Sequence, residues 1–221
     1  MKQEIDKVLK EAQEKRAASP EETTPSPSEE VRRLHEDLSR LQERGYSYRH
    51  IDALRSVGGV MEWPDKTRVH KAKASLLRPG TCVVLLGPRG TGKTQLATEL
   101  SLHGNRMLSG RYTTLSGLLQ EEKDSWNHKP KLDSFNRPTS PLKVAKAKGL
   151  LVLDEIQEIR GTDWEHAQFV QAFDERYGAM RSTILIANLE PKAFEEFVGP
   201  SIWSRICETG LLVECDWEAY R

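Results

Sequence analysis

Cysteine is scarce in this 221-residue sequence: Cys82, Cys207 and Cys215 are the three present, and no two of them form a C-x-x-C pair. An odd number so spaced argues against a disulfide framework and against a cysteine-ligated zinc site, so a reducing, cytoplasmic setting is expected. Long apolar runs are missing as well. No stretch approaches the roughly 18 consecutive apolar residues that span a bilayer, and the opening MKQEIDKVLKEAQEKR has no apolar core of signal-peptide length. Neither membrane insertion nor secretion is expected. Net charge is absent too: 33 Lys and Arg against 33 Asp and Glu leave +0, so any contact with nucleic acid must come from a local basic patch. Hydrophobic residues are only 37% of the chain and charged residues 30%, which suits one full domain carrying a polar attachment.

That attachment is read at the N-terminus. Met1 to Arg16 places Ile5, Val8, Leu9 and Ala12 at helical spacing among charges, giving a short amphipathic helix. Ala17 to Ser28 (AASPEETTPSPS) is too polar to bury itself and reads as a flexible linker. From Glu29 to Arg44, Val31, Leu34, Leu38 and Leu41 form a stripe that needs a partner surface, and Gly45 ends the helix. The expected division is residues 1–57 as a helical extension and 58–221 as the main domain.

The main domain alternates strands with helices. Thr81–Leu86, Leu150–Asp154, Thr183–Ala187 and Leu211–Cys215 are short apolar runs of buried-strand type, and Asp163–Tyr177 is a helix opened by a Thr162/Glu165 capping box. This pattern predicts an α/β fold with a parallel sheet covered by helices on both sides.

The first run leads into Gly87-Pro88-Arg89-Gly90-Thr91-Gly92-Lys93-Thr94, which fits G-x-x-x-x-G-K-[ST] in a strand, loop, helix context. The glycines let successive N–H groups turn towards phosphate oxygens, and the following helix adds its positive end. ATP is therefore expected along Gly87 to Gln95, with Lys93 on the β and γ phosphates and Thr94 on Mg²⁺. The second run ends in Asp154 and Glu155, suited to hold Mg²⁺ and to act as general base respectively. Asn188 follows the third run, where an amide can orient the attacking water. Arg205 lies in SIWSRI, on a short helix before the last strand.

These four elements, GPRGTGKT, LLVLDE, STILIAN and SIWSRI, in this order, resemble an AAA+ ATPase, and more closely the branch of DnaC-like helicase loaders and IstB-like transposition ATPases. The resemblance covers about Tyr46 to Arg221. It implies a P-loop core with a five-stranded parallel sheet and no C-terminal lid domain. It further implies ATP and Mg²⁺ as cofactors, Asn188 as first sensor, and Arg205 as an arginine finger serving a neighbouring subunit. Tyr48, His50 and Ile51 precede the first strand where such proteins often cradle adenine, although aromatic and aliphatic residues there also suit a core. No N-terminal cysteine cluster is present, so a zinc-bearing docking domain is not expected.

Ahead of the acidic strand, Lys123 to Lys148 carries seven cations against Asp124 and Asp133, with Trp126 and Phe135 interleaved. Cations that follow phosphates and rings that stack on bases make Trp126, Lys129, Lys131, Phe135 and Arg137 candidate contacts to single-stranded DNA. The function expected is ATP-driven loading of a hexameric replicative helicase, with self-association through Arg205 and the Ile5, Val8, Leu9 face as dock. An IstB-like regulator of a transposase is the alternative. A small-molecule kinase would not need the Asp154, Glu155, Asn188 and Arg205 set, and a module using ATP only as structural glue would show no turnover.

Overall fold

A computed structural model describes residues 26–103, 111–126, 131–132, 138–139, 149–159 and 161–218. The chain divides into two compact units, Met1–Arg33 and Leu34–Arg221. The segment from Leu34 to Val57, which the sequence expectation assigned to the extension, therefore belongs to the larger unit. The Ile5, Val8, Leu9 face and nearly all of the expected linker lie outside the described residues.

Helix α1 (Pro27–Glu43) starts earlier than expected. Ser26 precedes it and Pro27 takes the first helical position. The Ser26 backbone N–H and hydroxyl both donate to Glu29 Oε2, at 2.8 and 3.1 Å, and the Glu29 N–H faces Ser26 Oγ at 3.4 Å. Serine, proline at the next residue and glutamate three on make a helix start. The expected linker ends two residues sooner because of it. Gly45, at φ +96°, turns the chain after α1 where a Cβ would collide with the Tyr112 carbonyl.

Helices α2 (Tyr48–Ser56) and α3 (Lys66–Leu76) follow, then β1 (Cys82–Leu86), α4 (Lys93–His103), β2 (Arg111–Thr114) and α5 (Leu115–Ser125). Two short strands, β3 (Lys131–Leu132) and β4 (Pro138–Thr139), pair antiparallel. Next come β5 (Leu151–Asp154), a single 3₁₀ turn (Ile156–Glu158), α6 (Asp163–Gly178), β6 (Thr183–Ala187), α7 (Pro191–Thr209) and β7 (Leu211–Glu214). Five strands form a parallel sheet in the order β2-β5-β6-β1-β7. The expected α/β fold is present. The strand β2, RYTT, was not identifiable as an apolar run because all four residues are only half-buried.

Alternation along the central strands supplies two cores. Val83 and Leu85 of β1, Ile184 and Ile186 of β6 and Val152 of β5 face Leu38, Ile51, Leu54, Val69, Leu96 and Leu100 from helices α1 to α4. Cys82, Val84, Leu86, Leu153, Leu185 and Ala187 point the other way, onto Leu118, Phe169, Phe173, Phe194, Ile202 and Ile206 of α5, α6 and α7. A period of two with apolar residues on both faces is what a sheet covered on both sides requires. Helix α6 carries the expected capping box, with Thr162 and Glu165 satisfying each other's backbone N–H groups. Helix α7 is bent at Gly199 (φ 75°, ψ 167°), since Pro200 disfavours a helical residue before it and restarts the helix after it. Arg205 thus lies on the helical segment that Pro200 starts and Thr209 ends, the short helix expected before the last strand.

One buried charge holds the edge of the sheet away from the phosphate loop. Arg176 of α6 is 1% exposed. Its Nη2 donates to Gly149 O at 2.6 Å and to Ser182 O, while its Nε donates to Thr183 Oγ1 at 2.9 Å. Burial pulls its pKa down to about 10. Arg176→Met keeps the volume but removes three donated bonds, while Ser182 O keeps only the Leu151 N–H, so it is expected to lower unfolding free energy by about 2–4 kcal/mol in urea titrations.

Candidate functional site

The strand order brings three chain reversals to one edge of the sheet. β6 lies between β1 and β5, so the residue after β6 sits between the phosphate loop that follows β1 and the carboxylates that follow β5. The site opens beyond the carboxyl ends of the strands, where ligands of such sheets bind.

The loop from Gly87 to Gly92 curls through three glycines of positive φ, +135° at Gly87, +88° at Gly90 and +86° at Gly92. Gly87 also has no room for a side chain, because a Cβ there would strike the Cys215 carbonyl. Lys93 is buried, and its Nζ donates to Gly87 O at 2.7 Å and Pro88 O at 2.5 Å. Burial holds its pKa below the ordinary lysine range. Two neutral carbonyls thus hold the ammonium that phosphate oxygens, as charged acceptors, would bind more strongly. The far side of the loop is braced by Trp217, whose indole N–H donates to Thr91 O at 2.8 Å.

Asp154 is buried, and three donors from three elements converge on it. Thr94 Oγ1 donates to Oδ2 at 2.7 Å, the Tyr112 hydroxyl donates to the same oxygen at 2.8 Å, and the Glu155 backbone N–H donates to Oδ1 at 2.7 Å. That last bond is made with Glu155 in the left-handed region, φ 50° and ψ 44°. Its side chain is exposed and lines the same cavity as Lys93 and Thr94. The Tyr112 phenol, partly desolvated and beside the Asp154 carboxylate, is pushed far above its usual pKa and stays a donor.

The cavity holds about 650 Å³. Of the expected residues, Arg89, Gly90, Gly92, Lys93, Thr94, Gln95, Asp154, Glu155 and Asn188 line it together, with Arg49, His50, Ala53, Met61 and Ile186 on its other walls. Tyr48 projects outward, 71% exposed, and Ile51 is buried in the core; of those three only His50 reaches the cavity. His50 Nδ1 and Gln95 Oε1 are 2.7 Å apart, and Gln95 Nε2 donates to the His50 carbonyl at 3.1 Å. An amide oxygen only accepts, so His50 Nδ1 is the donor in this pair.

A chain of contacts not foreseen in the sequence crosses the cavity mouth. Arg89 Nη2 donates to Glu158 Oε1 at 2.8 Å, Gln157 Nε2 donates to that oxygen at 3.2 Å, and the Asn188 N–H donates to Gln157 Oε1 at 3.2 Å. The 3₁₀ turn after Glu155 thereby ties the phosphate loop to the end of β6. Gln157 and Glu158, one residue beyond the acidic pair, were the available signal.

Arg205 is not part of this cavity. Its Nη1 lies 2.8 Å from Asp174 Oδ1 and 2.7 Å from Ser201 Oγ, and its guanidinium packs 5.4 Å from the centre of the Tyr177 ring. Of the basic segment, residues 123–126, 131–132 and 138–139 are described. Lys123 lies in the last turn of α5 rather than starting a loop; it pairs with Glu165 Oε1 at 3.2 Å and lies over the Trp164 ring. Trp126 is 63% exposed and meets Trp164 edge-on at 5.4 Å. Lys129, Phe135, Arg137 and the Lys131 side chain lie outside the described residues.

Among the described residues no group of three or more His, Cys, Asp or Glu could hold a metal ion. The oxygens of Thr94 and Asp154 nonetheless fit magnesium, which is usually held by one or two protein oxygens together with phosphates and water. Among the described residues, too, no helix is long and apolar enough to cross a membrane.

Comparison with known proteins agrees with this geometry. Residues 63–212 match the family described as IstB-like ATP binding protein. An ATP-binding protein of insertion sequence IS232 from Bacillus thuringiensis subsp. berliner is 32% identical over 145 residues, covering 63% of this chain and 55% of the relative. The replicative helicase loader DnaC of Buchnera aphidicola (subsp. Acyrthosiphon pisum) is 26% identical over 143 residues, 62% of this chain and 55% of the loader. The chain thus spans about half the length of the curated relatives it matches. In fold it is similar to the crystal structure of a DnaC helicase loader, with TM-score 0.58 and 21% identity over 76% of this chain and 99% of that one. With a phosphate loop, a buried strand-end aspartate and a family match across most of its length, the chain belongs to the IstB-like ATP-binding family of AAA+ type.

Proposed function

We propose that this protein hydrolyses ATP with Mg²⁺ and uses the cycle to load a hexameric replicative helicase. The observation that carries the hydrolysis is the convergence of Lys93, Thr94, Asp154, Glu155 and Asn188 on one cavity. Lys93 exchanges its two loop carbonyls for the β and γ phosphates. Thr94 Oγ1 and Asp154 Oδ2, now hydrogen-bonded to each other, are the oxygens that would hold Mg²⁺. When bound, the ion neutralises charge on the phosphate oxygens. Glu155, exposed to the cavity and unable to share the buried role of Asp154, accepts the proton of the attacking water, and the Asn188 amide orients that water.

Arg205 supplies the neighbouring subunit's site in an oligomer. Its carboxylate partner Asp174 and its ring partner Tyr177 keep the side chain ordered while no phosphate is within reach. Single-stranded DNA is the further partner, through Trp126 and the basic segment after it. The DnaC relatives support the loader reading. A second reading, a regulator of a transposase, is favoured by the 32% identity to the insertion-sequence protein. Co-purification from host extract with and without ATP separates them, since a loader retains the helicase and a transposition factor retains the transposase.

Lys93→Ala is expected to weaken ATP binding by roughly 30-fold or more, about 2 kcal/mol for a lost charge-assisted contact, in a fluorescent-nucleotide titration. Glu155→Gln should bind ATP within about twofold of the parent yet hydrolyse it roughly 10²–10⁴-fold more slowly, as expected for loss of a general base. Equal turnover by the two proteins would remove Glu155 from the mechanism.

Arg205→Ala should bind ATP normally but lose the rise of specific activity with protein concentration. Mixing it with Lys93→Ala should restore turnover, since each chain supplies what the other lacks. Mixtures that never exceed the summed activities would refute the role in trans.

A further inference from the structure

Within the pattern G-x-x-x-x-G-K-[ST], Arg89 occupies a position that the pattern leaves open, so the backbone N–H groups that turn towards phosphate do not account for its side chain. The guanidinium lines the nucleotide cavity and reaches across its mouth, where Nη2 donates to Glu158 Oε1 at 2.8 Å. Glu158 stands three residues beyond Glu155, and its neighbour Gln157 accepts the Asn188 N–H at 3.2 Å. Arg89 is thereby held at the end of the cavity that carries Glu155 and Asn188, the end read above as that of the attacking water.

This pair is built to come apart. Its side chains are 75% and 45% exposed, and an ion pair so open to water contributes little. A terminal phosphate carries more charge than a carboxylate and offers more acceptor oxygens to the fork of guanidinium N–H groups. Departure of Arg89 does not strand Glu158 either, because Gln157 Nε2 already donates to the same Oε1 at 3.2 Å. The turn itself is anchored, since Ile156 is wholly buried in the core. The long arginine side chain is therefore the part free to move, and Gln157 keeps its hold on Asn188 while it does.

We propose that Arg89 contacts the terminal phosphate of ATP from within its own chain, and that Glu158 takes the guanidinium when that phosphate is absent. The proposal rests on the reading of this cavity as an ATP site and adds a discriminating cation to it. Lys93, placed on the β and γ phosphates, is satisfied in part by ADP. Arg89, at the far end, is satisfied only by ATP. Arg205 lies outside the cavity and adds a cation only from another chain, so Arg89 lets a single chain tell the two nucleotides apart.

The test measures dissociation constants for ADP and for a non-hydrolysable ATP analogue, with Mg²⁺, on the full chain. Protein is kept below the concentration at which specific activity rises, so that no neighbouring subunit contributes. Arg89→Ala should weaken analogue binding at least about tenfold, as for one lost charge-assisted contact. ADP binding should stay within about twofold, which also reports an intact fold, and Arg89→Lys should recover part of the loss. Glu158→Gln should tighten the analogue by about two- to fivefold, because an exposed competing ion pair is gone. In the double variant Arg89→Ala/Glu158→Gln that gain should vanish, since the two residues act through one contact. An unchanged ratio of analogue to ADP affinity in Arg89→Ala overturns the proposal, as do equal losses for both nucleotides, which would put the arginine on phosphates they share. A Glu158→Gln gain that persists without Arg89 overturns the exchange. Parent protein that binds neither nucleotide would sink the ATP reading as well, whereas the preceding outcomes sink this proposal alone.

Discussion

A buried carboxylate organises the nucleotide edge of this molecule. Asp154 is 4% exposed, and an ionised group so placed must be hydrogen-bonded or it costs several kcal/mol. Its three donors come from the phosphate-loop helix, from β2 and from its own chain neighbour. Satisfying the charge therefore fixes the distance between the loop and the acidic strand, and it explains the backbone of Glu155. A non-glycine residue in the left-handed region costs roughly 1–2 kcal/mol. A backbone N–H bond to a charged acceptor returns about 1.5–3 kcal/mol. The strain is thus offset on the spot, and its consequence is that the Glu155 side chain is exposed to the cavity while Asp154 stays inside.

Strand order does the remaining positioning. Because β6 lies between β1 and β5, Asn188 falls between phosphate loop and acidic pair without any loop having to reach across. On the other side, β7 pairs with β1 from Val83↔Leu211 to Leu86↔Glu214, and the residues after it return beneath the loop. Cys215 closes the space that a side chain at Gly87 would need, and Trp217 holds Thr91. Trp217 also packs 6.2 Å from Trp63, whose indole donates to Glu99 at 2.7 Å. The chain after the last strand is therefore part of the scaffold of the phosphate loop.

The sequence made the central parts readable for physical reasons. Buried parallel strands are continuous apolar runs, and a phosphate loop needs glycines at fixed spacing, so β1, β5, β6 and the loop could be placed to within a residue. β2 could not, since an edge strand with one neighbour carries half-buried polar residues such as Tyr112 and Thr114. Tyr112 was consequently missed as a donor to Asp154, 42 residues away in sequence. Asp174 beside Arg205 was hidden for the same reason: which carboxylate meets which cation is decided by the packing of α6 on α7 and not by local pattern. The early start of α1 was legible, in Ser26, Pro27 and Glu29, but the polar composition of the preceding residues masked it.

Zero net charge proved uninformative because the fold decides where each charge goes. Lys93 and Arg176 are buried against carbonyl oxygens, Arg205 is paired, and Lys71 and Arg78 line one recess beside Gly210 and Leu211. That recess and the nucleotide cavity occupy opposite ends of β1, a strand of five residues and so roughly 16 Å long. The Debye length at physiological salt is about 8 Å, so charge at one end contributes little to the potential at the other. Whatever passes between the two ends must pass through packed structure. Lys73 of α3 bonds Glu99 at 2.6 Å, and Glu99 stands on α4, the helix whose first residues are Lys93 and Thr94. The same Glu99 carboxylate accepts the Met61 N–H at 3.2 Å, and Met61 lines the cavity. With Glu99 wholly buried, this bridge cannot yield by rotating a side chain into solvent; it moves only if α3 and α4 move together.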